Sequence, residues 1–201
     1  YAFVLRGQMP GPVTLAGISG PNVQNAMAAG AAAMGLGLAP AAVVKGLRSF
    51  VLDPERNPGR ANLFELDGRV IVVDYAHNEA GMKGLVEICR GLRPPGGEIW
   101  VAYGSAGDRS DEIMHGVGEL AARGADHVLV VEEGQPEFIE TQLGSFLYRA
   151  GSVVKLHGKG LFPMAGEYTG AVMLTAVEGF LKQAAPHLLP AAVRAPNQDR
   201  P

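Results

Sequence analysis

Residues 57–78 read Asn57-Pro58-Gly59-Arg60-Ala61-Asn62-Leu63-Phe64-Glu65-Leu66-Asp67-Gly68-Arg69-Val70-Ile71-Val72-Val73-Asp74-Tyr75-Ala76-His77-Asn78. Leu63–Leu66 and Val70–Val73 are strand-like runs, and Asp67-Gly68 between them is a strong short-range signal for a β-hairpin. The second run is apolar without a break, the pattern of a strand buried on both faces. It stops at Asp74, Tyr75, His77 and Asn78, and a helical pattern follows. Open α/β sheets bind ligands beyond the carboxyl ends of their strands, so these polar groups fall where chemistry is usually done. Ahead of the hairpin, Pro58-Gly59-Arg60 offers a cation on a stiff turn. A carboxylate, an imidazole, an amide and a guanidinium in one loop–hairpin–loop unit suit a phosphate ester or a nucleotide. The competing reading is an ordinary strand end, with Asp74 capping the next helix and Arg60 solvated.

This wording resembles the start of the C-terminal domain of Mur-type ligases. Gly59-Arg60-Ala61-Asn62-Leu63-Phe64, followed by Asp74-Tyr75-Ala76-His77-Asn78, is closest to the cyanophycin synthetase branch. Folylpolyglutamate synthetases use a similar Asp-Gly-Ala-His-Asn, so Tyr75 favours the Mur and cyanophycin side. Enzymes of this kind phosphorylate a carboxylate with ATP and let an amine attack the acyl phosphate. The resemblance implies a Rossmann-like, mostly parallel α/β sheet, preceded by the end of a central ATPase domain.

Working outward toward the amino end, Asp53-Pro54-Glu55-Arg56-Asn57-Pro58-Gly59 is rich in turn residues and reads as a linker. A domain boundary is expected near residue 55: residues 1–55 end a central ATP-binding domain, 56–185 form the C-terminal domain, and 186–201 are a tail. Pro21–Leu36 and Ala39–Phe50 are helix candidates, the first opened by Ser19-Gly20-Pro21 and the second by Pro40. Tyr1–Leu5 and Val13–Ala16 are short strand candidates. Asn22 and Asn25 lie three apart on one helix face, at the end where free N–H groups favour anions. Taken alone, they read as a cap and a solvated amide. The order Gly20-Pro21-Asn22-Val23-Gln24-Asn25-Ala26-Met27-Ala28-Ala29 is similar to the family's Gly-x-His-Asn-x-x-Asn-Ala-x-Ala-Ala, with Pro21 in place of its histidine. The family's asparagines there serve nucleotide binding.

Toward the carboxyl end, Ala80–Leu92 is helical, Ile99–Tyr103 a strand, Asp111–Arg123 a helix and His127–Val131 a strand. Strands and helices alternating at this spacing indicate a parallel sheet. Gly104-Ser105-Ala106-Gly107-Asp108-Arg109 occupies a strand-to-helix turn and resembles the Gly-Asp-Arg that Mur-type ligases place on the incoming amino-substrate side. Glu132-Glu133 fits that branch, or equally a solvated acidic loop. Pro136–Tyr148 and Ala171–Lys182 are helical in pattern, and Val153–Leu156 is a strand candidate. His157-Gly158-Lys159-Gly160 reads as a solvated loop, and Pro186–Pro201 as a weakly ordered tail.

Composition narrows the classes. A net charge of −3 over 201 residues offers nothing to attract nucleic acid or an anionic membrane. No basic-then-apolar leader or membrane-length run stands out, and the single Cys89 excludes an internal disulfide, so a cytoplasmic setting is expected. Histidines are scattered without paired spacing, so no metal site of the chain's own is expected. A G-x-x-x-x-G-K-[ST] loop is lacking, and in Mur-type ligases that loop lies upstream of everything seen here. Together with a start inside a strand-like run, this leads us to expect part of a longer protein, inactive alone, whose upstream ATPase domain holds most ligands of ATP and Mg2+.

The expected activity is therefore ATP-dependent amide-bond formation between a carboxylate and a small amino-acid or peptide substrate. The resemblance implies Arg60 and His77 as catalytic, with Asn22, Asn25, Arg60 and Asp74 on the nucleotide. It implies Asn78, Asp108 and Arg109 on the substrate side. The alternative is a non-catalytic nucleotide- or amino-acid-binding module that keeps the fold without the phosphate loop.

Overall fold

A computed structural model describes residues 15, 18–66, 68–104, 110–134 and 137–189. The strand candidates Tyr1–Leu5 and Val13–Ala16 and the Gly107-Asp108-Arg109 turn lie outside the described residues, Leu15 excepted. The chain divides by packing into two compact units, Tyr1–Ile99 and Trp100–Pro201.

In the first unit, helix α1 (Gly20–Gly35) starts at Ser19, whose buried hydroxyl accepts the Asn22 N–H at 3.3 Å, with Pro21 in the first turn, where its missing N–H costs nothing. Helix α2 (Pro40–Ser49) opens on Pro40 and packs on α1, with Val43 and Leu47 lying over Gly30. Helix α3 (Glu79–Leu92) is capped by Asn78, whose side chain accepts the Gly81 N–H at 2.8 Å. The start of α1 packs closely on α3: a Cβ at Gly84 would meet the Pro21 ring at 2.7 Å, and one at Gly91 would meet Ile18 at 2.5 Å. The helical pair expected upstream of residue 55 thus shares a unit with the hairpin.

That hairpin joins β1 (Asn62–Leu66) to β2 (Arg69–Val73), with Leu66 opposite Arg69, so the turn spans two residues as Asp67-Gly68 indicated. Gly68 takes a positive φ of 73°, as such turns require. The reading of β2 as buried on both faces is corrected here. Among the described residues β2 pairs with β1 alone, in a two-stranded antiparallel sheet, and Val70 remains 50% exposed with Ile71 and Val73 similar. An unbroken apolar run does not distinguish a doubly covered strand from a hairpin strand with open faces.

The second unit carries a parallel sheet in the order β3 (Trp100–Tyr103), β4 (His127–Val130) and β5 (Lys155–His157). Helix α4 (Asp111–Gly124) connects β3 to β4, α5 (Phe138–Arg149) connects β4 to β5, and α6 (Gly170–Ala184) follows. Leu129 packs against Phe162 and, from α6, Ala176 and Phe180. Strand alternation points Val128 and Val130 the other way, and both are fully buried, so β4 is covered on both faces. The α/β reading, with its parallel sheet, holds. The expected tail begins with a one-turn 3-10 helix at Pro186–Leu188, and Leu189 is buried.

Candidate functional site at the carboxyl end of β2

The turn before β1 and the end of β2 are tied by backbone and side-chain bonds. Tyr75 N–H donates to the Gly59 carbonyl at 2.8 Å, and the Ala61 N–H donates to Asp74 Oδ2 at 2.8 Å. Asn62, 1% exposed, accepts the Gly59 N–H through Oδ1 at 2.7 Å and donates through Nδ2 to the Asn57 carbonyl at 3.0 Å. Gly59 has φ of 68°, and Ala61, a residue with a Cβ, has φ of 49°. Arg60 sits between these two left-handed residues with its side chain exposed. The Tyr75 ring lies directly on Gly59, where a Cβ would come within 2.3 Å of ring carbons.

The two strands of a ribbon return their outer ends to one edge, and that brings Arg60 and Asp74 together. Burial pushes the Asp74 carboxyl above the ordinary aspartate range. The Ala61 N–H, the Arg60 guanidinium, the Ala76 N–H and His77 pull it back in part. The resulting carboxylate is half-buried, bonded to backbone and next to a cation. His77 Nδ1 lies 2.9 Å from the Tyr75 carbonyl. A carbonyl can only accept, so Nδ1 carries a proton and donates it to this bond.

Asp74 does not cap the next helix, because Asn78 does. Asn78 therefore commits its carbonyl oxygen to α3, leaving its NH2 group to any ligand. Asn22 does not cap α1, because Ser19 does. Asn22 is half-buried and Asn25 exposed, at the helix start that packs on α3. Asp108 and Arg109 lie outside the described residues, although the strand that leads to them, β3, is in place.

Two features escaped the sequence reading. Asn62 entered the sequence reading only as a member of the Gly59–Phe64 motif, with nothing to mark its burial. Lys159, expected in a solvated loop, is 8% exposed. Its ammonium donates to the Gly134 carbonyl and, at 2.8 Å, to the Tyr168 hydroxyl. The Lys159 N–H donates to Glu140 at 2.7 Å. Glycines on both sides of Lys159 concealed this, since they suggest a loop and say nothing of its depth. The Glu132-Glu133 pair is likewise not simply solvated. Glu132 accepts the N–H groups of Phe138 and Ile139 at the start of α5, and Glu133 accepts that of Tyr168 at 2.6 Å.

Residues 59–157 match the Mur ligase, glutamate ligase domain, and the segment belongs to the Mur ligase family. Cyanophycin synthetase from Synechocystis sp. is 34% identical over 122 residues, covering 61% of this chain and 14% of that protein. Cyanophycin synthetase from Crocosphaera subtropica is 36% identical over the same shares. The UDP-N-acetylmuramoyl-L-alanyl-D-glutamate--2,6-diaminopimelate ligase of Solibacter usitatus is 32% identical over 114 residues, covering 56% of this chain and 22% of that protein. The resemblance to the cyanophycin synthetase branch is borne out. A murein peptide ligase from Psychrobacter arcticus superposes with a TM-score of 0.51 over 82% of this chain and 31% of its own, at 15% identity, a likeness of fold. The matched region thus spans between about a seventh and a fifth of these curated relatives.

Proposed function

We propose that this chain is the C-terminal part of an ATP-dependent ligase that forms amide bonds through an acyl phosphate. A substrate carboxylate oxygen attacks the γ-phosphorus of ATP and releases ADP. The amine of an amino-acid or peptide substrate then attacks the acyl carbonyl, releasing phosphate and a proton. The observation that carries this reading is the Arg60 turn, tied to Asp74 through the Ala61 N–H and to Tyr75 through the Gly59 carbonyl. It fixes an exposed guanidinium and a carboxylate at one strand edge. A guanidinium presents forked donors to phosphate oxygens, and a carboxylate presents paired acceptors to vicinal hydroxyls.

In this reading Arg60 stabilises charge on the transferred phosphoryl group, and Asp74 holds the ribose with the carboxylate capacity its backbone bonds leave free. His77, exposed beside them, accepts or relays a proton. Asn22 and Asn25 serve the nucleotide, and Asn78, Asp108 and Arg109 the incoming amine substrate. Mg2+ is bound with ATP, mainly by residues of an upstream ATPase domain in the same polypeptide. The family match opening at residue 59 supports a domain boundary near residue 55, with 56–185 as the C-terminal domain. The setting is cytoplasmic. Among the described residues no helix is long and apolar enough to cross a membrane.

The test uses the complete polypeptide that carries this chain, with ATP, Mg2+ and a panel of amino-acid and peptide amines and carboxylates. ADP and phosphate should appear in equal amounts with new amide, and only when both substrates are present. ATP binding without any substrate-dependent ADP release would overturn the ligase reading in favour of a binding module.

A further inference from the structure

We propose that Asn62 is the positioning residue for Arg60, its buried amide locking the 57–62 turn so that the guanidinium meets phosphate in one orientation. This rests on the phosphate role given to Arg60 above. Asn62 is 1% exposed, so its amide is held entirely by protein. Its orientation is set by chemistry: the Gly59 N–H can only donate and the Asn57 carbonyl can only accept, which fixes Oδ1 on the first and Nδ2 on the second. One side chain thereby closes both ends of the Asn57–Gly59 segment immediately before Arg60.

The residue after Arg60 is held in the same manner. Ala61 adopts φ of 49°, a left-handed conformation unfavourable for an L-residue, and its N–H is bonded to Asp74 at 2.8 Å. Arg60 is thus bracketed by Gly59 and Ala61, each with positive φ and each with its N–H on a side-chain acceptor, Asn62 before and Asp74 after. A hairpin entry needs none of this, since glycine and proline alone would turn the chain. A buried amide and a left-handed alanine are unfavourable locally and are kept where the surroundings over-determine the backbone. The group they jointly position is the exposed side chain of Arg60.

A positioning residue acts through its target, and a double-mutant cycle isolates that. Asn62→Asp keeps the acceptor for Gly59 and removes the donor to Asn57. It is compared in the complete polypeptide with Arg60→Ala and with the pair, measuring kcat and KM for ATP and the exchange rate of the Gly59 amide. Asn62→Ser is read in the same way should the aspartate variant fail to fold. We expect kcat to fall roughly tenfold or more with KM for ATP within about threefold, because misplacing a charge that acts on the transition state costs rate more than binding. In the Arg60→Ala background the same substitution should cost nothing further. An equal loss in both backgrounds would overturn the positioning role. So would unchanged kcat in a variant whose Gly59 amide exchanges faster. Turnover unaffected by Arg60→Ala alone would instead overturn the phosphate assignment, and the positioning role with it.

Discussion

Gly59→Ala tests the turn by a perturbation whose size can be worked out. Gly59 has φ of 68°, where an added Cβ costs about 1 kcal/mol of conformational energy. The Cβ would also lie 2.3 Å from Tyr75 ring carbons, against about 3.5 Å or more for ordinary carbon contact. The ring is 64% exposed, so it can swing away, giving up its packed face at a cost of about 1 kcal/mol. The total is about 2 kcal/mol, roughly 4–8 °C in melting temperature for a chain of this size. Gly68 supplies the control. Its φ is 73° and nothing lies within 4 Å of its Cβ position, so Gly68→Ala carries the conformational cost alone, about half the total. The measurement is thermal unfolding of both variants and of Gly59→Ala combined with Tyr75→Ser, which removes the clash. Equal destabilisation by the two alanines would refute the packing argument, as would a failure of Tyr75→Ser to bring Gly59→Ala to the level of Tyr75→Ser plus the conformational cost.

Three other outcomes follow from the geometry. Lys159→Met deletes donor bonds to Gly134 and Tyr168 while relieving a buried ammonium; because the bonded groups are partly accessible to water, the net loss should be about 1–2 kcal/mol, read as a lowered urea midpoint with unchanged m value. His157 has its imidazole pKa lowered, chiefly by burial and then by His127 and Lys155, with Glu140 opposing. The unfolded chain therefore takes up its proton first, so stability should be full above about pH 6.5 and fall as pH drops toward the depressed folded value. His157→Gln should flatten that part of the melting profile, and an unchanged slope would contradict it. Asp74 behaves oppositely: its folded pKa is raised, mainly by burial, so the ionised group reduces stability as pH rises from about 3.9 through the folded value. Asp74→Asn keeps an acceptor for the Ala61 N–H and should melt no lower than the native chain at neutral pH.

Local signals carried much of the fold. The Asp67-Gly68 turn and the Ser19-Gly20-Pro21 helix start are decided by backbone chemistry within a few residues, and the elements fall within a residue or two of where such signals put them. Burial was less legible. Val70–Val73 reads as a core strand yet stays half open, because strand pairing and helix cover are set by residues distant in the chain. Lys159 failed in the other direction, since its partners Gly134 and Tyr168 lie 25 and 9 residues away. At the site, residue types suggested the chemistry proposed for Arg60, Asp74 and His77. The capping roles went to neighbours, Ser19 and Asn78, that sit in the right place relative to free N–H groups. Asn62 was hidden for the same reason as Lys159: its value lies in what it touches.

The most direct test of the nucleotide-site assignment is steady-state kinetics of Arg60→Ala and Asp74→Ala in the complete polypeptide, with melting temperature measured alongside. Arg60→Ala should lower kcat by roughly a hundredfold or more, as loss of a donor to transition-state charge does. Asp74→Ala should raise KM for ATP more than it lowers kcat. Lowered melting temperatures with unchanged kinetics in both variants would show the pair to be a structural tie and contradict the assignment.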